Sequence, residues 1–191
     1  MLFNRFPVEY QMDSQDCGPA SLKIIAKYFG KYYSLQYLRD RCGITKEGVS
    51  LLDISTGAES IGLRTLAIKC TIDDVVNIVP LPAIVYWKES HFIVVYATDK
   101  KHVWVSDPAK GKIKYTHEEF RKGWYPKGED HGVLLAVEPT VDFKDSKAEK
   151  EQKRQSALCE RFFQVLLFKE QPIFYLSSRL DARSYLISMP I

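Results

Sequence analysis

Cys17 stands where the polar stretch from Gln11 to Asp16 gives way to residues with the apolar spacing of a helix. The unpaired N–H groups and positive dipole end of a helix start favour a thiolate over a thiol. A thiolate is a nucleophile. To cut an acyl bond it needs a base, a group that orients the base, and donors for the oxyanion, and these come from distant parts of a sequence. Four histidines are available. His91 opens the run HFIVVYAT just after Lys88-Glu89-Ser90, which holds an imidazole at a strand start beside a loop where substrate can enter. His131, in the glycine-flanked GEDHGV, ranks second, while His102 adjoins a charged turn and His117 a helix start. Asp107 closes HVWVSD immediately before Pro108 and is the candidate orienting group. Gln11 lies in the loop before Cys17, which can fold back to point its amide at the carbonyl under attack. With a backbone N–H near Cys17 it forms an oxyanion hole, where one donor is worth about 2.7 to 4 kcal/mol.

Each residue also has a plain structural explanation. An Asp before Pro is a turn former, a His at a strand start is commonly structural, and a loop Gln is commonly solvated. Asp16 either caps the Cys17 helix or is a polar loop residue, and Gly18-Pro19 suit a tight loop-to-helix junction without any catalytic role. Cys42, Cys70 and Cys159 are read as small apolar residues.

The elements that must carry these residues follow from periodicity. Leu22, Ile25, Ala26 and Phe29 recur at helical spacing from Cys17 to Phe29, and Gly30 stops the helix. Further helices are expected over Ser34 to Arg41, closed near Gly43, and over Ser50 to Ile61, closed by Gly62. Then the pattern changes. LRTLAIKC, LPAIVYW, HFIVVYAT, HVWVSD, GKIKYT and GVLLAVEP are short runs rich in β-branched and aromatic residues, with a helical turn expected over Thr71 to Ile78 and a small helix over Thr116 to Lys122. Helices followed by an antiparallel sheet make an α+β fold. If HFIVVYAT and HVWVSD pair about Asp99-Lys100-Lys101, their outer ends face each other, and His91 and Asp107 come close.

Composition narrows the function classes. The 27 basic and 24 acidic side chains are mixed along the chain for a net charge of +3, so no basic stripe marks a nucleic-acid partner. The four cysteines show no metal-finger spacing and read as reduced thiols; no metal and no organic cofactor are expected. There is no G-x-x-x-x-G-K-[ST] sequence, hence no ATP site in this chain, and no signal peptide or run of about 18 apolar residues. The chain is expected to divide into a folded domain over 1–139, a charged linker over 140–157, and an apolar and aromatic tail over 158–191. The tail, CERFFQVLLFKEQPIFYL and beyond, is interrupted by Lys169, Glu170 and Pro172 and cannot span a membrane as written; it suits a membrane surface or a partner.

Gln11, Asp16-Cys17-Gly18, the helix LKIIAKYFG, HFIVVY at His91 and DPAKG at Asp107 together closely resemble the papain-like, bacteriocin-processing peptidase domain of peptidase-containing ABC exporters. The resemblance covers roughly Phe6 to Glu138, with the Gln, Cys, His and Asp elements in the family's order. It implies a papain-like fold, a nucleophile at Cys17, a base at His91, an orienting group at Asp107 and an oxyanion donor at Gln11. It also implies a substrate, a secreted peptide precursor cut after a double-glycine type leader, and coupling to exporter membrane and ATPase parts in cis or in trans at the cytoplasmic face of the bacterial inner membrane. A narrow cleft that admits only small residues at the scissile bond is expected, with the leader bound as an amphipathic helix in a groove. Two other functions remain open at this point, a non-catalytic leader-binding module and a papain-like transfer or deamidation at glutamine. The tail resembles the approach to an exporter's first transmembrane helix, so the chain is read as a fragment, a disrupted copy or a stand-alone peptidase with a docking tail.

Overall fold

A computed structural model describes residues 5–145. A single 3-10 turn, Ser14–Asp16, leads directly into α1, Cys17–Tyr28. Gly30, with φ of +85°, ends this helix, as its position predicts. Two further helices follow, α2 over Leu35–Cys42 and α3 over Leu51–Ser60. Ser34 caps α2 by accepting from the Tyr37 N–H at 3.1 Å, and Gly43 closes it in the left-handed region. Ser50 and Asp53 form a reciprocal capping box at the start of α3.

The remaining elements are β1 (Leu63–Cys70), α4 (Ile72–Asn77), β2 (Ala83–Trp87), β3 (His91–Thr98), β4 (His102–Asp107), β5 (Gly111–Thr116), α5 (His117–Trp124), β6 (Gly132–Pro139) and α6 (Val141–Asp145). The strands form one antiparallel sheet in the order β1-β6-β2-β3-β4-β5. The expected α+β architecture is present, with the helical N-terminal part packed on the sheet. The last strand is inserted between the first two. Its sequence GVLLAVEP has neighbouring Leu134 and Leu135 both buried, the mark of a strand covered on both faces.

Two cores explain that pattern. On one face, Leu22 and Ile25 of α1 and Ile54 of α3 pack against Ile84, Val94 and Leu135. On the other, Phe120 and Trp124 of α5 and Ile72 of α4 pack against Trp87, Ile93, Val95 and Leu134. Helix α5 runs past the expected Lys122 because Phe120 and Trp124, one helical turn apart, both insert into this second core.

The stretch expected as a linker begins with α6, whose Phe143 is fully buried in the first core; the packed residues therefore extend past Pro139. Beyond Asp145, the rest of that stretch, the tail and Cys159 lie outside the described residues. Among the described residues no helix is long and apolar enough to cross a membrane.

Candidate active site

Cys17 is the first residue of α1 and is 6% exposed. The helix is anchored to the strand that carries His91, since the buried Ser21 hydroxyl donates to the Phe92 carbonyl at 3.2 Å. Gly18 allows the other close approach. A Cβ there would overlap Val49 Cγ2 and press on Ile54 Cδ1, so α1 can lie against α3 at this depth only without a side chain. Cys17 and His91 are thus carried by two rigid elements tied together four residues after the first and one residue after the second.

His91 and Asp107 meet as the hairpin pairing of β3 and β4 predicts. His91 Nε2 lies 2.8 Å from Asp107 Oδ1, and the same oxygen accepts the Ala109 N–H at 2.8 Å. The turn joining the strands is built by Asp99, whose Oδ1 accepts the N–H groups of Lys101 and His102 at 2.6 and 2.7 Å. The register between β3 and β4 shifts once, between Val95 and Ala97, without moving the outer ends apart. On the other side of His91, the β2–β3 connection places Lys88 and Glu89 at φ of 52° and 54°. Such a conformation costs energy in residues other than glycine. It is held by the Tyr86 hydroxyl donating to the Glu89 carbonyl at 2.5 Å and by the Lys88 N–H donating to the Gly123 carbonyl at 2.8 Å.

The electrostatics of the pair are distinctive. Burial is the largest single influence on His91 and disfavours its charged form, yet the hydrogen bonds and charges of Asp107 and Cys17 outweigh it and push the imidazole up to about 9. For Asp107, burial again acts toward protonation, but the His91 and Ala109 hydrogen bonds and the charges of His91 and Lys110 hold the carboxyl below its usual range. At neutral pH the arrangement is an imidazolium between a carboxylate and a thiol-bearing residue. Because Nε2 is taken by Asp107, Nδ1 is the ring nitrogen left for Cys17.

Gln11 is carried by a segment laced between helix and sheet. Glu9 pairs with Lys23 and Lys27 of α1 at 2.7 and 2.6 Å, the Ser106 hydroxyl donates to the Pro7 carbonyl at 3.0 Å, and the Gln11 N–H donates to the Pro108 carbonyl at 3.0 Å. Its side-chain oxygen is buried without a hydrogen-bond partner among the described residues. Of the two readings of Asp16, the helix cap is not the one found. Asp16 occupies the position before α1, but its carboxylate makes no cap to that helix, because its oxygens are taken by Arg39 and by the N–H groups of Met12 and Asp13.

The other candidates serve elsewhere. Burial pushes the thiols of Cys42 and Cys70 up to about 12 and about 11, with Asp53 and Asp74 adding to the effect, so both stay protonated and inert at neutral pH. His102 lies beside Asp99, His117 Nε2 is 2.9 Å from the Asp99 carbonyl, and His131 sits between Glu129 and Asp130. An open groove runs along the β1–β6 edge, lined by Arg64, Leu66, Ile68, Pro80, Ala136 and Glu138. Sequence reasoning did not find Arg39, Ser21 or the Tyr86 clamp. Arg39 follows Leu38 on a separate helix, and only tertiary packing reveals its partner.

The sequence and fold are similar to those of known proteins. The model of the Peptidase C39 family matches residues 5–142. The lactococcin-G-processing and transport ATP-binding protein LagD of Lactococcus lactis subsp. lactis is 35% identical over 142 residues, covering 72% of this chain and 19% of its own length. The transport/processing ATP-binding protein ComA of Streptococcus pneumoniae strain R6 is 34% identical over 157 residues, covering 78% of this chain and 21% of its own. The chain therefore spans about a fifth of the length of these relatives. Among solved structures, a double glycine motif protease from an AMS/PCAT transporter, in complex with the leader peptide, is 30% identical with a TM-score of 0.65, covering 70% of this chain and 91% of its own. The peptidase domain of Streptococcus ComA, a bi-functional ABC transporter involved in quorum sensing, is 28% identical with a TM-score of 0.64, covering 71% and 100%.

Proposed function

The chain belongs to the peptidase C39 family of cysteine peptidases, and from that premise we propose that it cuts secreted peptide precursors after a double-glycine type leader, with Cys17, His91, Asp107 and Gln11 as its working residues. The observation that carries this is the placement of His91, hydrogen-bonded to Asp107 at 2.8 Å and raised toward the imidazolium by Asp107 and Cys17 together.

The Cys17 thiolate attacks the carbonyl carbon of the scissile peptide. Negative charge moves to the carbonyl oxygen, where the Gln11 amide and a backbone N–H at the start of α1 receive it. The tetrahedral adduct collapses as the C–N bond breaks, and His91 gives its proton to the leaving amine. The leader is then held as a thioester on Cys17. Neutral His91 takes a proton from water, the hydroxide adds to the thioester, and the leader leaves with a free carboxylate as the thiolate–imidazolium pair is restored. Asp107 keeps Nε2 engaged throughout, so Nδ1 stays aimed at the reacting atoms.

Substrate and setting are read from two further supports. The groove along β1 and β6, with Leu66 63% exposed at its edge, offers an apolar strip to one face of a leader helix. The names of the relatives join processing with transport, which supports exporter membrane and ATPase parts as partners, in cis or in trans, and work at the cytoplasmic face of the membrane. The test is a pair of synthetic precursors that differ only at the scissile pair, Gly-Gly in one and Leu-Leu in the other, followed by liquid chromatography and mass spectrometry. Cleavage of the first alone is expected. Binding of both leaders without cleavage of either would mean a holding module instead.

A further inference from the structure

Asp16 is a buried charge that the reaction described above does not use. Its side chain is 1% exposed, and a carboxylate at such a site needs partners to stay charged. Arg39 meets it from α2 with both ends of its fork, Nε to Oδ1 at 2.7 Å and Nη2 to Oδ2 at 2.5 Å. The Met12 and Asp13 N–H groups complete the set, donating to Oδ2 at 3.1 and 2.8 Å. Arg39 also reaches Asp13 Oδ2 at 3.2 Å. The carboxylate thus gathers the loop between Gln11 and Cys17 into one knot, locked from outside by a guanidinium.

Gln11 enters that knot from its N-terminal side. Its own N–H is fixed to Pro108, the neighbour of Asp107, and the next residue, Met12, is fixed to Asp16, the neighbour of Cys17. The backbone of Gln11 is therefore suspended between the two halves of the site. Its side-chain oxygen has no partner among the described residues, so among these residues the aim of the amide is set by that backbone.

We propose that Arg39 is a positioning residue for peptide cleavage: acting through Asp16, it fixes the Met12-Asp13 turn and so aims the Gln11 amide at the oxyanion. The proposal rests on the peptidase reading of the site. Arg39 touches no reacting atom, and its effect belongs to the transition state rather than to leader binding. Lysine is a poor replacement, because a single ammonium cannot span both carboxylate oxygens in a fixed plane.

The test is steady-state cleavage of a Gly-Gly precursor by the wild-type chain, R39A, R39K, Q11A and the R39A/Q11A double variant, with the rate of Cys17 alkylation by iodoacetamide measured in each. R39A is expected to lower kcat by about 10- to 100-fold with KM little changed, the size of effect that follows a misplacement of about 1 Å. In the Q11A background the same substitution should cost less than about twofold, since the group it aims is gone. R39K should fall between wild type and R39A, and serves in the same cycle if R39A does not fold. Alkylation rates should stay within about twofold of wild type, because the Cys17–His91 pair is untouched. A full R39A loss that persists without Gln11, or alkylation that falls in step with cleavage, would overturn the role. A wild-type chain that cuts nothing would overturn the peptidase reading itself, and this proposal with it.

Discussion

At His91 burial and charge oppose each other, and charge wins. Desolvation alone would leave it neutral at pH 7, and Asp107 together with Cys17 reverses that outcome. An imidazolium that persists to about pH 9 sets the alkaline limit expected for cleavage. As pH rises through that value His91 loses the proton that the proposed reaction gives to the leaving amine, so kcat/KM for cleavage should fall, while alkylation of Cys17, which needs no such proton, should not. Asp107→Asn removes the larger of the two influences that sustain the shift and leaves the desolvation. The alkaline limb of the cleavage profile should then move to lower pH by a unit or more, with kcat reduced at every pH. An unmoved limb would mean that another group sets it.

At the scale of elements, the site is the meeting of a helix start, a strand start and a strand end. Gly18 decides how closely the helix start approaches α3, because a Cβ there meets Val49 and Ile54. Gly18→Ala should cost about 1 to 3 kcal/mol as overpacking and displace Cys17, with a matching loss of kcat; Val49→Ala in the same chain should return part of both, read by thermal unfolding and by cleavage rate. Most of this geometry was legible in the sequence. The 3.6-residue spacing after Cys17 marked α1, and the Asp99 turn between two apolar runs gave the pairing that brings His91 to Asp107. Other parts were hidden for physical reasons. Lys88-Glu89-Ser90 carries none of the Gly or Asn residues that announce a tight turn, and its strained backbone is held by Tyr86 and by Gly123 of α5, contacts that no local pattern encodes. Asp16 looked like a helix cap because its position is right; its true partner is on α2, and only packing brings Arg39 there.

Across the described residues, the two halves of the proposed site are bound by a sheet with helices on both faces, and by an N-terminal segment that bonds to both. Phe143 shows how far that unit extends. It is fully buried against the α1 core, four residues past the end of β6, with Thr140 bonded back to the Gly62 carbonyl to set the turn. Phe143→Ala should cost about 3 to 5 kcal/mol, lowering the unfolding midpoint while leaving the pH profile of cleavage unchanged, since no site residue moves. The charge pattern of the following residues concealed this, because one aromatic among alternating charges has no period from which a core contact can be read. Whether Cys17 driven by His91 cuts the bond after a double glycine can be read by mass spectrometry of a Gly-Gly precursor incubated with the wild-type chain, with Cys17→Ala and with His91→Ala. Leader and mature peptide should appear with the wild type alone, both variants failing to a comparable degree because the two residues act as a unit; a precursor that stays whole with the wild type, or is cut as fast by Cys17→Ala, would contradict the proposal.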